Sequence, residues 1–264
     1  MALSPDQKER YARHILLKEV GGQGQQKLLS ARVALVGAGG IGAPALLYLA
    51  AAGVGAVTII DDDNVALSNL QRQVLFQTSD VGRPKAERAG AAVGRLTPDC
   101  QVRAQRGRLT AENAAALLRG HDLVLDGSDN FETRFAVNHA CFELAIPLIS
   151  AAVGRFDGQL ATFRPFAKQS PRLPCYQCLV PEAPPPGAVP RCEEEGVLGA
   201  VTGVLGSLAA LEALKELLSL GDSLAGRLLI YDGLASAART IKLPHDPACP
   251  TCGDAARAVK EIAS

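Results

Sequence analysis

Val33-Ala34-Leu35-Val36-Gly37-Ala38-Gly39-Gly40-Ile41-Gly42 is the stretch whose reading decides the fold. Four consecutive apolar residues are what a strand buried on both faces requires. The run passes directly into Gly37-x-Gly39-x-x-Gly42, and an Ala/Leu-rich helical pattern continues to about residue 52. Pro44 fits that helix because it falls in the first turn. Glycines at a strand-to-helix turn let backbone N–H groups approach a phosphate, and the helix N-terminus adds favourable potential. Residues 56–60 form the next strand, and Asp61, 19 residues after Gly42, stands at its end. A carboxylate there can bind ribose hydroxyls. The expectation is a nucleotide site; the glycines alone fit NAD as well as ATP.

Outward from this unit the same alternation repeats. Residues 85–96, 111–119 and 130–144 read as helices, and 102–106, 122–125 and 147–151 as strands. This order predicts an α/β fold, a doubly wound, Rossmann-like, mainly parallel sheet. Upstream, 6–18 reads as an amphipathic helix with Tyr11, Ile15 and Leu16 near one face, followed by a glycine-rich turn at Gly21-Gly22-Gln23-Gly24. Downstream, strands at 159–163, 228–230 and 240–243 suggest an added, partly antiparallel C-terminal region, and 195–220 a long helix. Residues 181–190 hold five prolines and read as a crossover loop. Gly199, Gly203 and Gly206 would permit close packing of the long helix, as core and interface together. A single domain over 1–264 is expected: 1–28 an N-terminal helical segment, 29–155 the nucleotide-binding core, and 156–264 the remainder.

Composition narrows the function classes. Among 264 residues Lys+Arg and Asp+Glu are 27 each, which argues against a general nucleic-acid or membrane-surface binder. The first ten residues are polar and charged, so no signal peptide is expected. The apolar-rich run from Val197 to Leu214 contains Thr202, Ser207 and Glu212 and reads as a buried helix, not a membrane span. A cytoplasmic protein is expected.

Charged residues near the nucleotide end separate the chemistries. Asn69-Leu70-Gln71-Arg72 and Arg83-Pro84-Lys85 follow the ribose strand, and residues 122–126 deliver Ser128-Asp129-Asn130 at a strand end. In open parallel sheets ligands bind outside those carboxyl ends. Arg72 and Lys85 suit a triphosphate, and Asp129 suits Mg²⁺, a hard ion that takes oxygen ligands. Each has a plainer alternative: solvated charge for the two cations, a helix N-cap for Asp129.

Of seven cysteines, four form two C-x-x-C pairs, Cys175/Cys178 and Cys249/Cys252. Two such turns complete a closed four-sulfur shell of the structural-zinc kind, stapling remote segments. Iron could occupy the same ligands in an expression host. Cys100 and Cys141 read as buried small hydrophobes. Cys192 stands apart, between Arg191 and Glu193-Glu194-Glu195.

Taken together, Arg13, Gly37 to Gly42, Asp61, Asn69-Leu70-Gln71-Arg72, Lys85, Ser128-Asp129-Asn130, the two cysteine pairs and the Cys192 segment resemble the ThiF/MoeB/HesA family of ubiquitin-activating-like adenylyltransferases. The likeness runs across nearly the whole chain and is greatest to molybdopterin-synthase and thiamine-biosynthesis adenylyltransferases. It implies adenylation, with Mg-ATP, of the C-terminal Gly-Gly carboxylate of a ubiquitin-like sulfur-carrier protein, with loss of pyrophosphate, before sulfur transfer. It implies roles for Gly37, Gly39, Gly40 and Gly42 at the phosphates, Asp61 at the ribose, Asn69, Arg72 and Lys85 at the phosphates, and Asp129 with Asn130 at the Mg-nucleotide. Arg13 would act in the site of a second subunit, making a homodimer obligatory. Residues 156–264 would bind the carrier and the zinc. Cys192 aligns with a position that in some members links covalently to sulfur. The neighbouring glutamates oppose a thiolate there, so a covalent role and a dispensable one both stand. No sulfurtransferase (rhodanese) domain follows the second cysteine pair, so a separate donor, a cysteine desulfurase or a rhodanese, is expected. An NAD-dependent oxidoreductase and a non-catalytic carrier-docking protein are the alternatives; neither needs Arg72, Lys85, Asp129 and both cysteine pairs at once.

Overall fold

The structure is a computed structural model and describes residues 2–185 and 195–263. Eight strands form one sheet in the order β3-β2-β1-β4-β5-β6-β7-β8. These are β1 (Arg32–Val36), β2 (Ala56–Asp61), β3 (Gln101–Arg106), β4 (Leu123–Asp126), β5 (Leu148–Val153), β6 (Asp157–Phe163), β7 (Arg227–Asp232) and β8 (Ala237–Lys242). The first five run parallel. The last three continue the same sheet antiparallel. The expected Rossmann-like half and its antiparallel addition are therefore one continuous surface.

Side-chain alternation along β1 divides the core. Val33 and Leu35 pack with α4 (Gly42–Ala51), α5 (Lys85–Leu96) and the long α9 (Gly199–Leu218). Ala34 and Val36 pack on the opposite face with α6 (Ala114–Leu118) and α7 (Phe131–Leu144). Leu35, Leu46, Leu49, Ile59, Leu125 and Ile149 have essentially no exposure, and each such burial is worth about 1.5–3 kcal/mol. β1 and β4 are adjacent while their flanking connections go to opposite sides, which opens a crevice at their carboxyl ends.

Two backbone approaches fix that crevice. Gly37 has φ +84°, and a Cβ on Gly42 would overlap the Gly37 carbonyl oxygen. α9 lies against α4 because Gly206 meets Ile41 O and the Pro44 ring with no room for a side chain, and Gly199 does the same at Gln71 O. Gly203, by contrast, has open space, so only two of the three glycines serve close packing.

The N-terminal segment departs from the sequence expectation. The helix over 6–18 is broken into α1 (Pro5–Arg10) and α2 (Ala12–Ile15), because Tyr11 leaves helical geometry. The Tyr11 hydroxyl donates to Asp99 Oδ2 at 2.8 Å, and its ring is buried. Burial, then the Asp99 bond, raise its pKa to about 12. The glycine-rich turn is instead the start of helix α3 (Gly21–Ser30). Gly21, at φ +58°, makes the reversal, and Gln25 and Leu28 bury into the core. Tertiary packing thus overrides the poor helix propensity of glycine. α9 starts later than the pattern suggested, after extended Leu198 and Gly196 at φ +79°. No described helix is long and apolar enough to cross a membrane.

Candidate active site and four-cysteine cluster

The crevice is a cavity of about 650 Å³. Gly37, Gly39, Gly40, Asp61, Asn69, Arg72, Lys85, Asp129 and Asn130 all line it. Residues separated by up to 93 positions in the chain thus meet at the ends of β1, β2 and β4.

β2 delivers three consecutive carboxylates that the backbone turns apart. Asp61 Oδ2 accepts the Ala38 N–H at 2.8 Å, bracing the glycine turn, and Oδ1 accepts the Asp63 N–H at 2.9 Å. Burial raises its pKa, and the Lys85 charge and the two N–H groups counter this. Asp62 pairs with Arg108 on the rim at 3.0 Å. Asp63 Oδ2 accepts from Lys85 Nζ at 2.8 Å. Lys85 opens α5, with a side chain only 7% exposed against 62% for Asp63. An ammonium so sheltered, with one partner on the surface, is placed to exchange that partner for a ligand anion.

Asn69 is buried, and its Oδ1 accepts the Ala66 N–H at 3.1 Å. Arg72 is half-buried, its Nη1 bonded to Ser68 O at 3.1 Å. Thr202 of α9 stands against Gly40. Asp129 is exposed, and it is not the helix cap: Asn130 Oδ1 accepts the Thr133 N–H at 2.9 Å and caps α7. Gln73 Oε1 and Ser128 Oγ, of two cleft-lining residues, are buried without a hydrogen-bond partner. Orphaned polar atoms of this kind ask for a ligand or water.

Sequence reasoning missed several residues of the site. Asp63, Gln73, Arg108 and Arg134 line the same cavity. The lining also takes in Ser150 of β5, Gln159 and Phe163 of β6, and Tyr176 and Leu179. Arg13 is exposed on α2 and does not line its own chain's cavity. Cys192 lies outside the described residues.

Cys175, Cys178, Cys249 and Cys252 converge, with all four sulfurs within 4.8 Å of one another. Cys175–Cys249 is 3.6 Å and Cys178–Cys252 is 3.5 Å. A disulfide is about 2.05 Å, whereas sulfurs about 2.3 Å from one tetrahedral ion stand about 3.8 Å apart. N–H groups aim at two of them: Asp246 N at Cys178 Sγ (3.4 Å) and Asn138 Nδ2 at Cys175 Sγ (3.6 Å). Such donors suit thiolate ligands. The donor set fits a closed, four-sulfur metal site with no open position. Cys100 and Cys141 are buried elsewhere in the core, and burial raises both thiols.

A family description, the ThiF family, matches residues 11–251. The chain belongs to the ThiF family. It is 49% identical over 254 residues to a protein of Thermus thermophilus named sulfur carrier protein adenylyltransferase, covering 96% of this chain and 94% of that one. It is 48% identical over 254 residues to the SAMP-activating enzyme E1 of Haloferax volcanii, covering 96% and 92%. Among solved structures, E. coli MccB superposes with a TM-score of 0.80 at 22% identity, over 95% of this chain and 76% of that one. That last likeness is one of fold alone.

Proposed function

We propose that this chain adenylates the C-terminal Gly-Gly carboxylate of a small ubiquitin-like sulfur-carrier protein, using Mg-ATP. The observation that carries the reading is one cavity lined by a glycine turn, a half-buried aspartate, a sheltered lysine, an exposed aspartate and residues of β5 and β6. A dinucleotide enzyme has no use for Lys85 and Asp129 at the phosphate end. The names of the two full-length relatives support the same chemistry.

In this reading the carrier's carboxylate oxygen attacks the α-phosphorus. The bond from that phosphorus to the bridging oxygen breaks, and pyrophosphate leaves with the electron pair. Positioning and charge stabilisation dominate such a step. Asp61 accepts from the ribose hydroxyls, and the N–H groups around Gly40 cradle phosphate. Asn69, Arg72 and Lys85 hold the phosphates, the two cations stabilising the charge that develops. Asp129 holds Mg²⁺, and Asn130, as cap, sets the turn that presents it. The extended tail lies along the part of the cavity lined by β5 and β6. Arg13 serves the site of a second subunit in a homodimer.

The four cysteines would hold zinc, which supplies stability and no reactive position. Residues 1–28, 29–155 and 156–264 work as helical arm, nucleotide core and carrier-and-metal region of one cytoplasmic unit. Sulfur from a separate donor, a cysteine desulfurase or a rhodanese, then attacks the acyl carbon and AMP leaves with the electron pair of the broken C–O bond, for molybdopterin or thiamine synthesis. Cys192 takes part in that later step or not at all.

Ligand-dependent thermal shift tests the nucleotide reading. Mg-ATP should raise Tm with the logarithm of its concentration above Kd, and NAD should not. Stabilisation by NAD with none by Mg-ATP would overturn it.

A further inference from the structure

The four-cysteine cluster and the nucleotide cleft are joined by three side chains, two of which line the cleft and one of which touches a cluster cysteine. Arg134 and Asn138 stand one turn apart on α7, and so project from the same face. Asn138 is 2% exposed and lines no part of the cleft. Its Nδ2 donates to Cys175 Sγ at 3.6 Å, and its Oδ1 accepts the Tyr176 N–H at 2.8 Å. Tyr176 lies between the cluster residues Cys175 and Cys178 in the chain, opening the short α8 (Tyr176–Leu179). Its ring packs edge-on against Phe135 and Phe163, and the Arg134 guanidinium lies 6.0 Å from its centre.

Arg134 carries the connection into the cleft. It is buried, and its Nη2 donates to Ser128 O and to Ala151 O, the latter at 3.0 Å. Its Nη1 donates to Ser150 Oγ at 3.2 Å. Ser128 immediately precedes Asp129 at the phosphate end, and Ser150 and Ala151 line the cleft from β5. One guanidinium therefore ties the turn after β4 to the middle of β5, beside the ring of a residue that lies between two cluster cysteines in the chain. A planar cation with several fixed donors does this where a point charge cannot.

We propose that Arg134 and Asn138 are positioning residues. With Tyr176 they form a strut by which the four-cysteine cluster sets the floor of the cleft, so that metal retention and nucleotide affinity are coupled. The proposal rests on the ATP reading given above. Coupling of this kind is reciprocal: whatever loosens the cleft end must also loosen the metal end.

The test is a double-mutant cycle on zinc-loaded protein, with Asn138→Ala, Arg134→Lys and their combination. Mg-ATP affinity is read by calorimetry, and zinc affinity by equilibrium competition with a chromophoric chelator. Each single variant should weaken Mg-ATP binding by about 5–10-fold, as coupled neighbours do. The combination should be no weaker than Arg134→Lys alone. Asn138→Ala should weaken zinc binding by about 10-fold, a typical cost of losing a group that supports a metal ligand. Arg134→Lys, which touches no cysteine, should weaken it by several-fold. Unchanged Mg-ATP affinity in Asn138→Ala, losses that multiply, or unchanged zinc affinity in Arg134→Lys would each overturn the strut. If Asn138→Ala fails to fold, Tyr176→Leu, which keeps every cysteine, must show the same non-multiplying loss with Arg134→Lys. Wild-type protein that binds no Mg-ATP would sink the nucleotide reading, while zinc affinity of Arg134→Lys would still decide the strut.

Discussion

Lys85→Met separates catalysis from stability more sharply than any other change in the cleft. The wild-type ammonium is nearly buried, but its partner Asp63 is largely in water, at 2.8 Å. A pair with one solvated member is worth only about 0–1 kcal/mol, and burying the ammonium costs something that Met does not incur. The fold should therefore change by no more than about 1 kcal/mol, a Tm shift of roughly 2–4 °C for a chain of this size. Activity should behave differently. A preorganised charge aimed at the leaving phosphates is worth about 10²–10³ in rate, or about 3–4 kcal/mol. Lys85 is also the leading influence that lowers the Asp61 pKa against its burial. Without it the Asp61 carboxyl holds its proton to higher pH, and a protonated carboxyl is a poorer acceptor for ribose. The acid limb of Mg-ATP binding should therefore move upward in pH. The assays are carrier-dependent turnover, thermal melting, and nucleotide affinity across pH. Turnover within a few-fold of wild type, a Tm loss in step with lost activity, or an unmoved acid limb would refute this account of Lys85.

Gly42→Ala should lower stability by about 3 kcal/mol, the upper range for overpacking, because its Cβ collides with the Gly37 carbonyl; melting and Mg-ATP binding should both fall, and an intact cradle would contradict the turn geometry. Purified protein should contain one zinc per chain by mass spectrometry, and stripping it or making Cys249→Ser should lower Tm by more than about 10 °C, given the size of structural-zinc binding energies; an unchanged Tm would reduce the cluster to adjacent thiols. Arg88→Ala should destabilise by about 1–3 kcal/mol by stranding Asp80, whose side chain is 3% exposed and 2.6 Å from Arg88. Burial works to raise the Asp80 pKa, but the Gln77 N–H and Arg88 outweigh it and hold it low. The pair's contribution is therefore full above the ordinary carboxylate pKa of about 3.9 and is lost as pH falls through the lowered value; a stability gap between wild type and mutant that does not shrink as pH falls through that range would refute it.

What the sequence made legible follows from local rules. Val33–Val36 and the glycine turn announce themselves because strand, turn and helix N-terminus must be contiguous in the chain. The cysteine pairs do so because a metal needs paired ligands from tight turns. Lys85, opening α5, was placed by position alone, but its contact with Asp63 was not, because three consecutive aspartates look alike until the backbone turns them apart. The Asp129 cap reading failed by one residue, since Asn130 competes for the same N–H groups and is better placed to take them. α3 was missed because its glycines signal a turn locally, and only burial of Gln25 and Leu28 makes a helix of them. Arg134, Asn138 and Tyr176 gave no signal at all: each is ordinary in its own helix and acquires a role only where α7 side chains meet β5 and α8.

Carrier-dependent exchange of labelled pyrophosphate into ATP tests the central claim most directly. The purified chain is incubated with Mg-ATP, pyrophosphate and a panel of small ubiquitin-like proteins ending in Gly-Gly. The account predicts exchange with at least one carrier, abolished when its last glycine is removed and reduced about 10²-fold or more by Lys85→Met. Exchange that ignores the terminal glycine, or none with any carrier from protein that binds Mg-ATP and holds its zinc, would contradict it.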